Sequence, residues 1–130
     1  MVLKSFVRNA LLAMAALSVG GAAAAADPAG DPVKGKVVFA KCMICHTVQP
    51  GVNKLGPTLA NIIGQTAGDV PGFTFSPAMK ASKIVWSPAT LDQYLTNPRK
   101  MVPGTKMIFA GLPNPVDRAN VIAYLKTPTK

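Results

Sequence analysis

The sequence predicts a small all-α domain, four short helices joined by long loops, and three observations predict it. Asp31-Pro32, Ser76-Pro77, Ser87-Pro88 and Asn114-Pro115 each set a short polar residue directly before proline, the signature of a capped helix start. From Thr47 to Phe75 the chain is rich in glycine and proline and reads as loop. Both cysteines and the one histidine of the 130 residues fall in a single pentapeptide, Cys42-Met43-Ile44-Cys45-His46, with no βαβ pattern after it. So much irregular chain in one compact domain is unusual unless the loops wrap something rigid.

Taken in order, the chain opens with Lys4 and Arg8, an apolar run from Ala10 to about Val19, Gly20-Gly21, and the alanines from Ala22 to Ala26 ahead of Asp27. A positive end, a short apolar middle and small residues at the cut make residues 1–26 a secretory signal peptide. Ala24-Ala25-Ala26 is the best cleavage site, to within a few residues. An uncleaved anchor is the other reading, but the apolar run is too short to span a bilayer comfortably without the alanines. The mature domain is then residues 27–130. Loss of Lys4 and Arg8 leaves 12 basic and 5 acidic residues, a formal charge of +7, and no glutamate. A single domain this short buries only a modest share of its surface, so a large apolar cofactor would help supply its core.

The first helix is expected to run from Asp31-Pro32 to about Lys41 and to deliver Cys42 at its end, with Gly35, Val38 and Phe39 on one face. The last, from Asn114-Pro115 through Lys126, carries Val121, Tyr124 and Leu125 on one stripe. These terminal helices are expected to cross, with Gly35 permitting close approach and Phe39 meeting the stripe. Between them a short helical turn is expected at residues 59–63. A helix follows from Ser76-Pro77 to about Ser82, and another from Ser87-Pro88 to Asn97-Pro98 with Leu91, Tyr94 and Leu95 on a shared face. Trp86, the one tryptophan, lies just ahead of it.

Two thiols separated by two residues, with an imidazole next to the second, match the attachment site of a c-type haem. Each thiol adds to one porphyrin vinyl group, and the imidazole is held where it can ligate the iron. Structural zinc needs four ligands where the chain has three local ones. A thioredoxin-like dithiol lacks its βαβ context, and a structural disulfide would close a tiny loop and leave His46 unexplained. Thioether attachment needs an exported apoprotein, which agrees with the signal peptide and points to a periplasm. With no second histidine, methionine is the natural sixth ligand, and the mature chain offers Met43, Met79, Met101 and Met107. Met43 is tied between the cysteines on the His46 side. The other three stay open on this reading, because a lone methionine usually fills a core gap.

Several further motifs follow in order: Thr47-Val48 after the pentapeptide, Gly56-Pro57, Pro71-Gly72-Phe73-Thr74, Trp86, Tyr94-Leu95-Thr96-Asn97-Pro98, Pro103-Gly104-Thr105-Lys106-Met107-Ile108-Phe109, and Ile122-Ala123-Tyr124-Leu125. In this order and spacing the chain resembles the class I cytochromes c, especially the small soluble bacterial ones similar to mitochondrial cytochrome c. The resemblance covers Gly35 to Leu125. It implies a cytochrome c fold, with crossed N- and C-terminal helices and loops and short helices wrapping one covalent haem c on Cys42 and Cys45. It implies His46 and Met107 as axial ligands, the Pro57 carbonyl accepting the other imidazole N–H, and the Tyr94 hydroxyl bonding the methionine sulfur. Trp86 would donate to a haem propionate, with Thr105 placed to help there. Three positions depart from the family pattern. Gln65 replaces an arginine, Phe75 replaces a tyrosine, and Met79 replaces an asparagine, so fewer donors would face the propionates; Met79 is also a distant second candidate ligand.

What the resemblance implies for function is a one-electron carrier and not an enzyme, since both axial sites are filled and His/Met ligation favours the ferrous state. A haem peroxidase or small-ligand sensor with labile Met107 ligation is the alternative, and a haem-free basic binding module is a third reading. Lys41, Lys54, Arg99, Lys100 and Lys106 match positions around the exposed haem edge in relatives. They would steer the protein to acidic docking sites on a cytochrome bc-type complex, a terminal oxidase, a photosynthetic reaction centre or a dehydrogenase. A monomer is expected, with no nucleic-acid partner and no stable membrane insertion after cleavage.

Overall fold

The computed structural model describes residues 29–128; the expected signal peptide lies outside the described residues. Five helices follow in order: α1 (Pro32–Phe39), α2 (Pro77–Ser82), α3 (Pro88–Thr96), α4 (Pro98–Met101) and α5 (Pro115–Lys126). Each starts with proline behind a polar cap. The Asp31 carboxylate accepts from the Val33 and Lys34 amides, Ser76 from Met79, and Asn114 from Val116, while Ser87 and Thr90 form a reciprocal capping box.

Two expectations are corrected and one element is added. α1 stops at Phe39 because the chain then tightens: Ala40 and Lys41 donate to the Val37 and Val38 carbonyls, three residues back, at 3.2 Å each. The helical turn expected at 59–63 is absent, since Asn61 (φ 55°) and Gly64 (φ 87°) adopt left-handed conformations that a right-handed helix cannot carry. α4 was not anticipated. Asn97, extended at φ −158° ahead of Pro98, ends α3 and also caps α4 by accepting from the Lys100 amide.

The crossed pair forms as expected. A Cβ at Gly35 would lie 2.0 Å from the Asn120 carbonyl oxygen and 2.8 Å from the Tyr124 Cβ, so only glycine lets α1 sit this close to α5. The Phe39 and Tyr124 rings pack 5.2 Å apart at 48°. The Asn120 side chain, buried in the crossing, accepts from the Asp31 amide at 2.8 Å and so ties the α1 cap to α5. Leu91 and Tyr94 carry the buried face of α3, which packs on α5. One antiparallel bridge, Thr66 to Val85, is the β pairing among the described residues. Flanking backbone bonds from Ala67 to Ile84 and between Trp86 and residues 64–65 hold the tryptophan in the core. Among the described residues no helix is long and apolar enough to cross a membrane.

Arg118 on α5 supplies the polar counterpart of that packing. Its Nε donates to Asp92 at 2.7 Å, and one terminal nitrogen donates to the Leu112 and Pro113 carbonyls at 2.9 and 3.1 Å. The Arg118 side chain is only 12% exposed while Asp92 is 46% exposed, so the two partners are not equivalent. Arg118→Met strips two carbonyls and a carboxylate of their donor and is expected to cost about 2–3 kcal/mol. Asp92→Asn keeps an acceptor for Nε and is expected to cost less than about 1 kcal/mol. Urea unfolding of the two variants checks this; equal costs would contradict it.

Candidate functional site

The pentapeptide continues the α1 spiral as turns: Cys42 donates to the Phe39 carbonyl at 2.8 Å, and Cys45 and His46 both donate back to the Cys42 carbonyl at 3.0 and 2.8 Å. Positions i, i+3 and i+4 of such a spiral share one side, so Cys42, Cys45 and His46 are presented together. Both cysteines are free and half-buried. Burial pushes the Cys42 thiol above its usual range, with the neighbouring Lys41 charge opposing and Cys45 adding to the rise. It is therefore an S–H and not a reactive thiolate at neutral pH.

His46 is held by the loop that follows it. Its Nδ1 lies 2.7 Å from the Pro57 carbonyl oxygen. That oxygen can only accept, so Nδ1 carries the proton and Nε2 keeps the lone pair. Burial lowers the His46 pKa, the Pro57 bond opposes this, and the Lys54 charge adds to the lowering; the ring is neutral at neutral pH, the form that binds a metal. Gly56 lies flat on the ring, where a Cβ would come within 2.5 Å of Cε1, and its amide donates to the Cys45 carbonyl at 2.8 Å. The loop closes on itself through Leu59 to the Thr47 carbonyl (2.8 Å) and the Thr58 hydroxyl to the Gln49 carbonyl (2.7 Å).

Met107 comes from a second loop, between α4 and α5. Thr105 donates from its amide to Val102 at 3.0 Å, and its hydroxyl accepts the Met107 amide at 3.3 Å. Gly111 (φ +106°) runs against α3, where a Cβ would lie 2.4 Å from the Thr96 carbonyl oxygen. The Tyr94 hydroxyl donates to the Met107 sulfur at 3.9 Å, and the Tyr94 ring packs against Trp86 with centroids 5.0 Å apart and planes tilted by 57°. Burial raises the Tyr94 pKa and a hydrogen bond with Thr105 partly offsets it, so the phenol stays a donor. Thr105 thus lies beside Tyr94 and Met107.

The remaining residues sort by position. Met79 is buried in the core, Met101 is half-buried against it, and Met43 is exposed. Gln65 spends its amide on the Ala60 carbonyl at 3.2 Å, and Phe75 meets Phe73 edge-on at 4.8 Å. Lys41, Arg99 and Lys100 are exposed. Lys54 donates to the Met43 carbonyl, and Lys106 donates to the Thr74 carbonyl while its ammonium lies 4.7 Å over the Phe73 ring. Two residues that sequence reasoning missed are Asn53, which bonds both Pro71 and Thr58, and Thr58 itself. No local pattern flags Asn53, because one of its partners is 18 residues away.

These residues fit a covalent haem. Two thiols at the attachment spacing share a side with an imidazole whose free nitrogen carries a lone pair. A tyrosine-bonded thioether is held by the second loop. Leu59, Ile63, Phe75, Ile84, Leu95 and Phe109 pack against the core yet stay only partly buried, apolar surface that a flat apolar group can cover.

A family model described as Cytochrome c matches residues 32–129. The chain is 56% identical over 108 residues to cytochrome c2 of Rhodomicrobium vannielii, covering 80% of this chain and 84% of that protein. It is 48% identical over 101 residues to cytochrome c2 of Rhodopila globiformis, covering 77% and 95%. Among solved structures, cytochrome cH from Methylobacterium extorquens superimposes with a TM-score of 0.72 at 44% identity, covering 75% of this chain and 99% of that one. Motif order, fold and relatives agree: the chain belongs to the cytochrome c family, as a class I c-type cytochrome.

Proposed function

We propose that this chain is an exported, periplasmic one-electron carrier in which His46 and Met107 ligate the iron of one haem c attached through Cys42 and Cys45. The observation that carries the reading is the pair of prepared donors: a His46 ring with its proton fixed on Nδ1 by Pro57, and a Met107 sulfur already bonded by Tyr94. The haem supplies the one-electron couple when bound. Everything else the chain does is mechanical and electrostatic. Pro57 orients the imidazole, Tyr94 and Thr105 hold the thioether loop, and the packed core keeps both in place whatever the oxidation state. Trp86 is assigned the propionate-side contact, from its buried position against Tyr94.

The partners proposed are acidic docking sites on membrane or periplasmic oxidoreductases, such as a quinol-oxidising complex, a terminal oxidase or a reaction centre. Lys41, Lys54, Arg99, Lys100 and Lys106 supply the basic rim. Exposed Ile44, Leu55 and Ile108, adjacent in sequence to Cys45, Gly56 and Met107, supply apolar contact. The test is made on protein recovered from the periplasm. A pyridine haemochrome is expected to report one covalent haem, and the ferric spectrum a low-spin iron with the weak near-infrared sulfur-to-iron band. Turnover with an acidic redox partner is expected to fall as salt rises, because screening lengths shrink below about 10 Å above 0.1 M. A high-spin ferric spectrum at neutral pH, or turnover indifferent to salt, would count against the reading.

A further inference from the structure

The four methionines beyond the signal peptide stand in two environments. Met79 is 8% exposed in the core, and Met101 and Met107 pack against that core. Met43 is 54% exposed. Because Cys42, Cys45 and His46 share one side of the spiral, the two residues between the cysteines, Met43 and Ile44, turn to solvent. The Met43 amide donates to the Phe39 carbonyl at 3.1 Å, so its backbone is fixed while its thioether is open to reagents.

The neighbours of Met43 come from the next loop. The Lys54 ammonium donates to the Met43 carbonyl, the Lys54 amide donates to Gly56 at 2.9 Å, and the Gly56 amide donates to Cys45 at 2.8 Å. Residues 54–56 therefore run beside residues 43–45. Exposed Met43, Ile44 and Leu55 are gathered around one cation, on the basic rim assigned above to partner docking.

A thioether reduces a hydroperoxide by two electrons. The sulfur lone pair takes one peroxide oxygen, the O–O bond breaks, and with hydrogen peroxide the other oxygen leaves as water, carrying the proton of the first. The sulfoxide so formed is polar, and sulfoxide reductases return it to the thioether. At Met79, Met101 or Met107 this change would put a polar oxygen into packed surroundings. At Met43 it leaves the fold alone and changes only the surface.

We propose that Met43 is an oxidation site: a hydroperoxide converts its thioether to the sulfoxide, which weakens docking of the redox partner over Met43, Ile44 and Leu55. Electron delivery then falls under peroxide and recovers on reduction. The docking half rests on the partner reading given above, and the oxidation half stands apart from it.

The experiment exposes the ferric holoprotein to hydrogen peroxide, removes the excess, and divides the sample. Peptide mass mapping is expected to find one added oxygen at Met43 ahead of the other three methionines, with the sulfur-to-iron band retained. After re-reduction, the KM for a purified terminal oxidase is expected to rise about five- to tenfold with kcat unchanged, the effect of burying one polar oxygen without a partner. Methionine sulfoxide reductase with a thiol reductant is expected to reverse the rise. Met43→Leu keeps an apolar side chain that peroxide leaves intact, so its KM is expected to be the same before and after treatment. Met43→Gln places a polar amide there without oxidant and is expected to raise KM, with no further rise on treatment. Sulfoxide formed first at Met79, Met101 or Met107, a KM unmoved by Met43 oxidation, or an equal rise in Met43→Leu would overturn the proposal. Untreated protein whose turnover ignores salt would instead overturn the docking reading beneath it.

Discussion

Met107→Ala is expected to abolish the near-infrared sulfur-to-iron band, leave the covalent haem intact, and lower the reduction potential by a sizeable part of the roughly 0.8 V range that axial ligands command. The direction follows from chemistry: a thioether stabilises ferrous iron, and replacing it with water or hydroxide removes that preference. Met107 is singled out by its surroundings. Its sulfur accepts from Tyr94, its amide is held by Thr105, and its loop is closed on both sides by Gly104 and Gly111 in left-handed conformations. Met79 and Met101 pack with the core, and among the described residues neither sulfur accepts a hydrogen bond as the Met107 sulfur does from Tyr94. Met79→Ala and Met101→Ala are therefore expected to keep the band and to lose stability as core truncations do, buried Met79 by about 2–5 kcal/mol and half-buried Met101 by less. Visible and near-infrared spectra with a redox titration on the three variants check this. A band that survives Met107→Ala and vanishes in Met79→Ala would transfer the ligand role to Met79.

Gly35→Val is expected to be the most damaging substitution away from the haem. The first side-chain carbon at this position already meets the Asn120 carbonyl at 2.0 Å and its carbonyl carbon at 2.6 Å, and these are backbone atoms that no rotamer change can move. The helices must part, which opens the Phe39–Tyr124 contact and strains the Asp31–Asn120 bond at the same time. Overpacking of this kind costs about 3 kcal/mol or more, and at roughly 4–8 °C per kcal/mol for a domain of this size the melting temperature should fall by at least about 12 °C. Thermal unfolding of the ferric holoprotein measures it. Gly35→Ala is expected to show much of the same loss, because the clash begins at Cβ. A melting temperature within about 3 °C of wild type in Gly35→Ala would show that the crossing adjusts at little cost.

Gln65, Phe75 and Met79, read from the sequence as departures from the family pattern, act in a different register. Met79 is buried, Phe75 packs on Phe73, and the Gln65 amide is turned to the Ala60 carbonyl. Gln65, the one of the three whose side chain carries donors, gives its amide to a backbone carbonyl, and the other two contribute apolar packing.

Much was legible because it is local. A polar cap before proline at Asp31, Ser76, Ser87 and Asn114 starts a helix at each of the four, and four of the five helices begin there. The spacing of Cys42, Cys45 and His46 puts them on one side of a helical turn through bond geometry alone. Gly35 with Phe39, and Tyr124 with Leu125, carried enough pattern to predict the crossed pair. The turn expected at 59–63 failed because apolar spacing says nothing of the left-handed Asn61, and α4 was missed because Asn97-Pro98 reads equally as the end of one helix and the start of another.

By itself, then, the sequence determined the helix starts, the attachment site and the identity of the terminal helix pair, all decided within a turn or two of chain. Only the tertiary structure decided which carbonyl orients His46, which sulfur Tyr94 bonds, and that Asn53 and Lys106 hold two ends of one loop. Those contacts join residues 11 to 32 positions apart. A hydrogen bond forms within about 3 Å or not at all, so such pairs are specified by how the whole chain folds back on itself and leave no periodic trace in the residues that make them.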